Sequence, residues 1–544
     1  MKASLRSKVL VRTVMAALGF DAIFLLRIVA PAIDSEQSAI YHWAGPPWTF
    51  LLPIALDFLD VWLLLALLLF AARKAGRRRA VIWGGLLFLT PWFLGETLQV
   101  FSLRPLPPGP AHALLLGGVL ATAVLAAAWR PALAARMEPL IGASGSILSF
   151  AGLFGVFLLA QLAYRGWQAR GFVSDPPLYA EKTATAKPHR IIWIVFDELS
   201  YQQTFDRRYP GLDLPAFDAL AATSTTFTDA VPFAIMTKEV LPGLFTGEPY
   251  DQMRASPAAK LWLRNQLTGG WEIFNQHDTV FQDALNDGYS TAVSGWYNPY
   301  CRILPEVLDS CYWTFHPELG GMSPSNTVLE NMAAPAEGLL RVGLRASPAG
   351  WRASLMRLLR IPDGSVQAAQ GHIEDYQDLD ARALGLLRDR SYGFVLLHLP
   401  IPHPNGIYDR RTGRFTTAGS SYINNLALAD RCLAGIRRTL EESGQWESST
   451  VVVMGDHGWR TRQIWYQPRI EDGWTEEDQL ASHGGEYDPR PVYMVKLPGQ
   501  TTAARVDSPY GTANTRKLFD AILAQRISTP SELKAWAQAL PAPR

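Results

Sequence analysis

Neither sign of charge is in excess in this 544-residue sequence: 50 Lys and Arg stand against 49 Asp and Glu, a net charge of +1. Gripping a nucleic-acid backbone needs Lys and Arg clustered on a folded surface, so a nucleic-acid partner is set aside. Cysteine is scarce too, and three residues allow at most one intramolecular bridge. Two of them, Cys301 and Cys311, bracket PYCRILPEVLDSCYW, whose Pro and Asp can close a loop; they form either a disulfide, which requires an oxidising compartment, or two buried thiols. A chain of this length exceeds one ordinary core, which predicts at least two domains. The 48% hydrophobic content is unevenly spread, because the first 166 residues are mostly apolar runs and the remainder reads as a globular protein.

Five runs, near 10 to 33, 48 to 71, 80 to 101, 111 to 129 and 141 to 164, reach the roughly 20 residues a helix needs to cross a bilayer. A cleaved signal peptide explains only the first of them. Basic residues alternate along the connections. The N-terminus holds Lys2, Arg6, Lys8 and Arg12, Arg73, Lys74, Arg77, Arg78 and Arg79 follow the second run, and Arg130 and Arg136 follow the fourth. The first connection has no Lys or Arg and the third only Arg104, so the positive-inside rule predicts a cytoplasmic N-terminus and an external location for everything after Tyr164. The expected division is a five-helix transmembrane domain over 1–166, a linker over 167–189 and a periplasmic or extracellular domain over 190–544. Within the spans, Arg27, Asp57, Asp60 and Glu96 form a candidate cluster, with Asp57 and Asp60 on one helix face. It reads either as the border of a polar groove for a lipid headgroup or as an internal ion pair that holds the bundle.

Past the linker the pattern changes to short apolar strands alternating with helices: IIWIVF at 191 to 196, YGFVLLH at 392 to 398, STVVVMG at 449 to 455 and PVYMVKL at 491 to 497. Continuous apolar strands of this kind predict a mainly parallel sheet covered by helices on both faces, with the ligand site beyond the carboxyl ends of the strands. The first strand runs into Asp197 and Glu198, and the third into Asp456, His457 and Gly458. Carboxylates and imidazoles at strand ends suit Zn²⁺ or Mn²⁺, although a lone Asp there is ordinarily a turn or cap residue.

Between these two motifs lies TKEVLPGLFTG, from Thr237 to Gly247. Thr246 and Gly247 stand nine and ten residues after Thr237, the offsets at which sulfatases carry Thr-Gly after their nucleophile. With RIIWIVFDE before and VVVMGDHGW after, residues 190 to 500 resemble the alkaline phosphatase and sulfatase superfamily. Preceded by membrane spans, the chain looks like the lipoteichoic acid synthases and lipid A phosphoethanolamine transferases. The resemblance implies a bacterial inner-membrane enzyme with one divalent ion, Zn or Mn, held by Asp197, Thr237, Asp456 and His457, with Glu198 as an alternative or auxiliary ligand. A threonine hydroxyl becomes a competent nucleophile when a divalent cation lowers its pKa. At the start of a helix, backbone N–H groups would also favour an anion, while the plain alternative for Thr237 is an N-cap. The resemblance speaks against a true sulfatase, because Thr cannot form the formylglycine aldehyde and Leu241 occupies the position of the sulfatase Arg.

In HLPIPHPNG, His403 resembles the histidine that contacts substrate phosphate in the transferases, and His483 a late histidine facing the metal or substrate. His398 ends a strand and either orients the loop or assists as an auxiliary residue. Leu399 replaces the Asp that relatives with a full second metal carry four residues before His403, which implies a single tight metal. The function expected is transfer of a phosphoryl-linked headgroup from a phospholipid donor, through phospho-threonine, to a lipid or glycan acceptor. The alternatives are a phosphodiesterase using water and, further off, a non-catalytic membrane scaffold. A stretch at 339 to 361 holds five Arg and no acid among Leu, Trp and Met, and reads either as an amphipathic segment on anionic headgroups or as a solvated helix.

Overall fold

A computed structural model of the chain describes residues 2–34, 41–73, 76–100, 123–124, 130–172, 189–258, 260–316, 327–344, 349–361, 364–461 and 474–543. The chain divides into two compact units. One comprises Met1–Phe172, Ser256–Ala258 and Leu319–Asp363, and the other Val173–Ala255, Ala259–Glu318 and Gly364–Arg544.

The first unit is helical. Helices α1 (Lys2–Ile33), α2 (Trp48–Ala72), α3 (Gly76–Val100) and α4 (Glu138–Gln168) correspond to four of the five expected runs. Three stretches, Lys8–Ile33, Trp48–Ala72 and Glu138–Gly171, are long and apolar enough to cross a membrane. In α3 the described side chains are apolar only from Ala80 to Gly95, short of the ~20 residues a span needs. The run at 111 to 129 lies outside the described residues except for 123–124, so the count of five is not confirmed.

Helices α1 and α4 approach closely because small residues line their contact. A Cβ on Gly19 would collide with the Leu148 carbonyl, and one on Gly152 with the Met15 carbonyl. Polar links reinforce the seam: Arg12 donates to Ser146 Oγ at 2.6 Å, and Ser149 Oγ donates to the Arg12 carbonyl at 2.9 Å.

Two segments depart from the division expected on sequence, the short Ser256–Ala258 and a longer one. Residues 319–363, counted there with the globular half, group with the helical unit. Asn331 donates to the Thr49 carbonyl at 3.0 Å and Trp92 to the Val342 carbonyl at 2.8 Å. Ala334 is buried in the same cluster as Trp43 and Phe50, and Val342 in that of Phe24 and Phe93. Sequence could not show this, because an amphipathic helix does not reveal which apolar surface it covers.

Of the charged cluster expected inside the spans, Asp57 has one oxygen without a hydrogen-bond partner among the described residues, and the Glu96 side chain lies outside them. Asp21, which the sequence analysis did not single out, is fully buried with neither carboxylate oxygen bonded among the described residues.

The second unit is built on an eight-stranded sheet. Its strands are β1 (Ile191–Phe196), β2 (Thr225–Phe227), β3 (Thr291–Trp296), β4 (Ser310–Thr314), β5 (Phe394–Leu399), β6 (Thr450–Gly455), β7 (Tyr493–Lys496) and β8 (Ala504–Val506), ordered β8-β2-β7-β6-β1-β5-β3-β4. Only β7 runs against the others, so the sheet is mainly parallel, as expected. β1, β5 and β6 are buried at every position, which is why they read as unbroken apolar runs. Parallel register sets Phe196 opposite both Gly455 and Leu399, so the three strands end level. Cys301 and Cys311 are joined by a disulfide with Cα atoms 5.6 Å apart, tying β4 to the short helix Tyr300–Ile303.

Substituting Gly152 by Ala should destabilise the helical unit by about 1–3 kcal/mol, the usual cost of overpacking. Gly142→Ala, where an added Cβ meets nothing within 4 Å, should not. Thermal unfolding of the detergent-solubilised variants checks this, and equal midpoints would contradict the close α1–α4 approach.

Candidate active site

The chemistry gathers where the level strands end. Asp197 leaves β1 and Asp456 leaves β6 at matched positions, and both side chains are fully buried. Gly455 is required just before Asp456, because a Cβ there would stand 2.6 Å from the Leu199 carbonyl. The Asp456 carboxylate is fixed through Oδ1, which accepts from the backbone N–H groups of Glu198 at 3.0 Å and His457 at 2.9 Å. Its Oδ2 lies 3.2 Å from His457 Nε2. His457 Nδ1 sits 2.9 Å from the Gly458 carbonyl, which can only accept; the ring proton is therefore on Nδ1 and the Nε2 lone pair is left to a ligand.

Helix α5 (Thr237–Thr246) supplies the hydroxyl. Its cap is Met236, in extended conformation, so Thr237 is the first helical residue and not the N-cap. Freed from capping, Thr237 Oγ1 donates to Asp197 Oδ2 at 3.1 Å and also reaches the Asp456 carboxylate. Gly247 closes the helix at φ +77°, a left-handed turn that suits glycine.

Among the described residues, Asp197 Oδ1, Asp456 Oδ2 and His457 Nε2 are all buried without a hydrogen-bond partner. Buried polar atoms left bare in this way cost free energy unless something else binds them, and two carboxylate oxygens with one imidazole nitrogen suit a Zn²⁺ or Mn²⁺ ion. Asp197, Glu198 and His457 each bring a ligand atom within 4.8 Å of the others, a buried group able to hold an ion.

Glu198 is nevertheless committed elsewhere. Its Oε2 accepts from the Arg460 backbone N–H at 3.0 Å and its Oε1 from Arg460 Nε at 2.6 Å and from the adjacent guanidinium nitrogen. A left-handed backbone at Glu198, φ 64°, gives the two neighbouring acids different surroundings. The geometry therefore favours Asp197 over Glu198 as the acidic ligand. Sequence reasoning missed Arg460, although a basic residue four positions after Asp456 in the same strand-end loop was the available signal.

The electrostatics follow from burial. Burial and the neighbouring Asp456 charge push the Asp197 carboxyl above its ordinary range. Burial pushes Asp456 up as well, but the His457 and His398 rings with the Glu198 N–H outweigh it and hold that carboxyl low. His403 Nε2 lies 3.7 Å from Glu198 Oε1, its ring one quarter exposed and edge-on to Trp296 at 5.1 Å. Desolvation and the Arg460 cation keep this ring neutral, well below the usual histidine range.

His398 is drawn further in than a loop-orienting role requires. Its Nε2 stands 3.6 Å from Asp197 Oδ2, and its Nδ1 2.6 Å from the Tyr300 hydroxyl and 3.0 Å from the Trp296 carbonyl. His483, by contrast, is exposed in a left-handed conformation at φ 51°, and no hydrogen bond or ion pair joins its ring to the cluster among the described residues. A further buried acid, Glu239, lies two residues beyond Thr237 with Oε1 3.5 Å from Lys238 Nζ.

No family model and no curated protein matches the chain. Among solved structures it is similar to the lipoteichoic acid synthase LtaP from Listeria monocytogenes, at 14% identity over 63% of this chain and 73% of that one, with a TM-score of 0.34. It is similar also to a protein of the alkaline phosphatase superfamily from Vibrio parahaemolyticus, at 12% identity over 70% and 79%, TM-score 0.36. A third is the phosphonate monoester hydrolase of Agrobacterium radiobacter, at 12% identity over 62% and 74%, TM-score 0.32. Two of these three bear names from the groups that the motifs resemble, and the functional argument rests on the geometry of the site.

Two outcomes test this site. Arg460→Met strands a buried carboxylate and should cost about 3–5 kcal/mol in denaturant unfolding, with Glu198→Gln added to it recovering part of the loss. Burial, against the weaker pull of Lys238, raises the Glu239 carboxyl from 4.5 to about 7. The unfolded chain therefore ionises first as pH rises, so wild-type stability relative to Glu239→Gln should be highest below pH 4.5, fall up to about 7 and level off above. A pH-independent difference would contradict the buried placement.

Proposed function

We propose that the chain is a membrane-anchored, metal-dependent phosphotransferase with Thr237 as nucleophile. The observation that carries this reading is a threonine hydroxyl 3.1 Å from Asp197, within reach of Asp456, beside three buried ligand atoms that lack partners among the described residues. Asp197, Thr237, Asp456 and His457 would hold one divalent ion, zinc or manganese, with His398 in support. Such an ion lowers the pKa of the hydroxyl and offsets charge developing on the phosphoryl oxygens.

In the first half-reaction the Thr237 oxygen, its proton already released to solvent, bonds to the phosphorus of a phospholipid headgroup while the bond from phosphorus to the diacylglycerol oxygen breaks. That oxygen takes a proton, and His403, once charged by the approaching phosphate, is the donor we assign to it. In the second half-reaction neutral His403 accepts the proton of an acceptor hydroxyl on a lipid or glycan. That hydroxyl attacks phosphorus, and the Thr237 oxygen leaves. His483 enters only if the acceptor brings a group to its exposed ring. The first α5 turn adds backbone N–H groups that favour the phosphate anion.

The location that goes with this activity is a bacterial inner membrane, with the N-terminus cytoplasmic and the catalytic unit on the outer side. The alternation of Lys and Arg along the connections supports that orientation.

Intact-mass measurement of the protein incubated with a phospholipid extract should show a headgroup-sized adduct on Thr237. Thr237→Ala should abolish the adduct and lower turnover on the order of 10³-fold or more. Free headgroup released with no acceptor present would favour a phosphodiesterase, and unchanged cellular function in Thr237→Ala would favour a scaffold.

A further inference from the structure

The short helix between β3 and β4 reaches the active site through one residue. It spans only Tyr300–Ile303, far fewer residues than a helix needs to be stable alone, so its place depends on what ties it down. Cys301 supplies a covalent tie, through its disulfide to Cys311 in β4. Tyr300, the residue before the bridge, is fully buried. Its ring lies against Gly295 near the end of β3, where an added Cβ would collide with it. Parallel register sets Gly295 opposite His398 on β5, and the Tyr300 hydroxyl stands 2.6 Å from His398 Nδ1.

The other neighbour of Nδ1 decides how the imidazole is held. The Trp296 carbonyl, 3.0 Å away, can only accept, so Nδ1 carries a proton and shares it between that carbonyl and the Tyr300 oxygen. Two acceptors at one ring nitrogen fix the plane of the ring, and the other nitrogen, Nε2, stands 3.6 Å from Asp197 Oδ2. That distance is too long for a hydrogen bond, and Nε2 is buried without a hydrogen-bond partner among the described residues. Asp197 Oδ2 accepts from Thr237 Oγ1 at 3.1 Å, while Oδ1 of the same carboxylate is one of the atoms suited to an ion. His398 is therefore a neighbour of the acidic ligand, and groups that surround a ligand set its orientation.

We propose that Tyr300 is a positioning residue of the metal site: tied down by the Cys301–Cys311 disulfide, it holds the His398 ring beside Asp197, so that affinity for the divalent ion depends on a bond between two cysteines outside the cluster. The inference rests on reading Asp197, Asp456 and His457 as ligands of an ion, and it adds a hydroxyl and a disulfide that the proposed chemistry does not itself use. A disulfide of this kind forms in an oxidising compartment, so tight binding of the ion follows oxidation of the two thiols.

Metal retention by the full chain tests it. Detergent-solubilised protein loaded with Zn²⁺, and in parallel with Mn²⁺, is equilibrated with a chelator of known affinity, and the ion left on the protein is measured by elemental analysis. Tyr300→Phe keeps the ring against Gly295 and removes only the hydroxyl. C301S/C311S removes the bridge without leaving two thiols to bind zinc. Each should lower the affinity about 10- to 100-fold, the usual effect of losing a group that orients a ligand. Y300F/C301S/C311S should bind no more weakly than the weaker of the two, because the bridge acts through the Tyr300 hydroxyl.

Wild-type affinity in Tyr300→Phe overturns the proposal and leaves the ion in place. Losses that add in full when the variants are combined overturn the part given to the disulfide, since a merely structural bridge would act independently of the hydroxyl. Should C301S/C311S not fold, Tyr300→Phe decides alone. Wild-type protein that keeps neither metal contradicts the ion itself, and with it the proposed chemistry.

Discussion

Two carboxylates forced side by side in a dry place are the constraint from which the rest of the site follows. Parallel pairing of β1 with β6 sets Phe196 opposite Gly455, so the next residues, Asp197 and Asp456, leave the sheet together and are buried together. Like charges in low dielectric repel strongly, and the pair tolerates ionisation only with positive charge between or around the two groups. The surroundings supply part of that charge and no more. The backbone N–H groups of Glu198 and His457 favour Asp456, and the Thr237 hydroxyl favours Asp197. Arg460, the fixed cation beside them among the described residues, is bound by Glu198. The remaining deficit is what a divalent ion would fill, in the position where a nucleophile needs it.

The Glu198–Arg460 pair shows why adjacency in sequence does not imply a shared role. Asp197 and Glu198 are chemically alike and consecutive, yet the backbone turns left-handed between strand and loop and Glu198 is taken by a guanidinium 262 residues later. A buried ion pair contributes little net stability, but it fixes two loops relative to each other. Here the loops are those bearing Asp197 and Asp456, and the same glutamate oxygen lies near His403. The pair therefore holds Asp197, Asp456 and His403 in one frame.

What the sequence made legible was whatever local pattern determines. Runs such as IIWIVF and TVVVMG are buried along their whole length, so their composition announced central strands and the residues after them announced strand ends. The helix after Thr237 and its glycine stop were legible for the same reason. Register was not, because nothing within either strand states that Phe196 faces Gly455. Arg460 and Glu239 went unnoticed because a buried charge is recognisable only from its surroundings, and a lone Arg or Glu in sequence is ordinarily a surface residue. The return of residues 327–344 to the helical unit was hidden likewise, since the covered surface, formed by Phe24, Phe50 and Phe93, lies some 300 residues earlier.

Transfer and hydrolysis differ in which oxygen attacks phosphorus second, and the nucleophile does not settle it. Water is present at high concentration wherever the site is open, so an acceptor hydroxyl prevails only if it is positioned better than water. Thr237 is itself nearly buried, whereas the His403 ring beside Glu198 remains one quarter exposed. Under the proposed transfer, an acceptor anchored in a membrane would arrive at a fixed depth and orientation, whereas water arrives from bulk. The selection of an acceptor over water would then depend on how that acceptor is held, and a sheet-end cluster identical in every atom would serve a hydrolase where none is held.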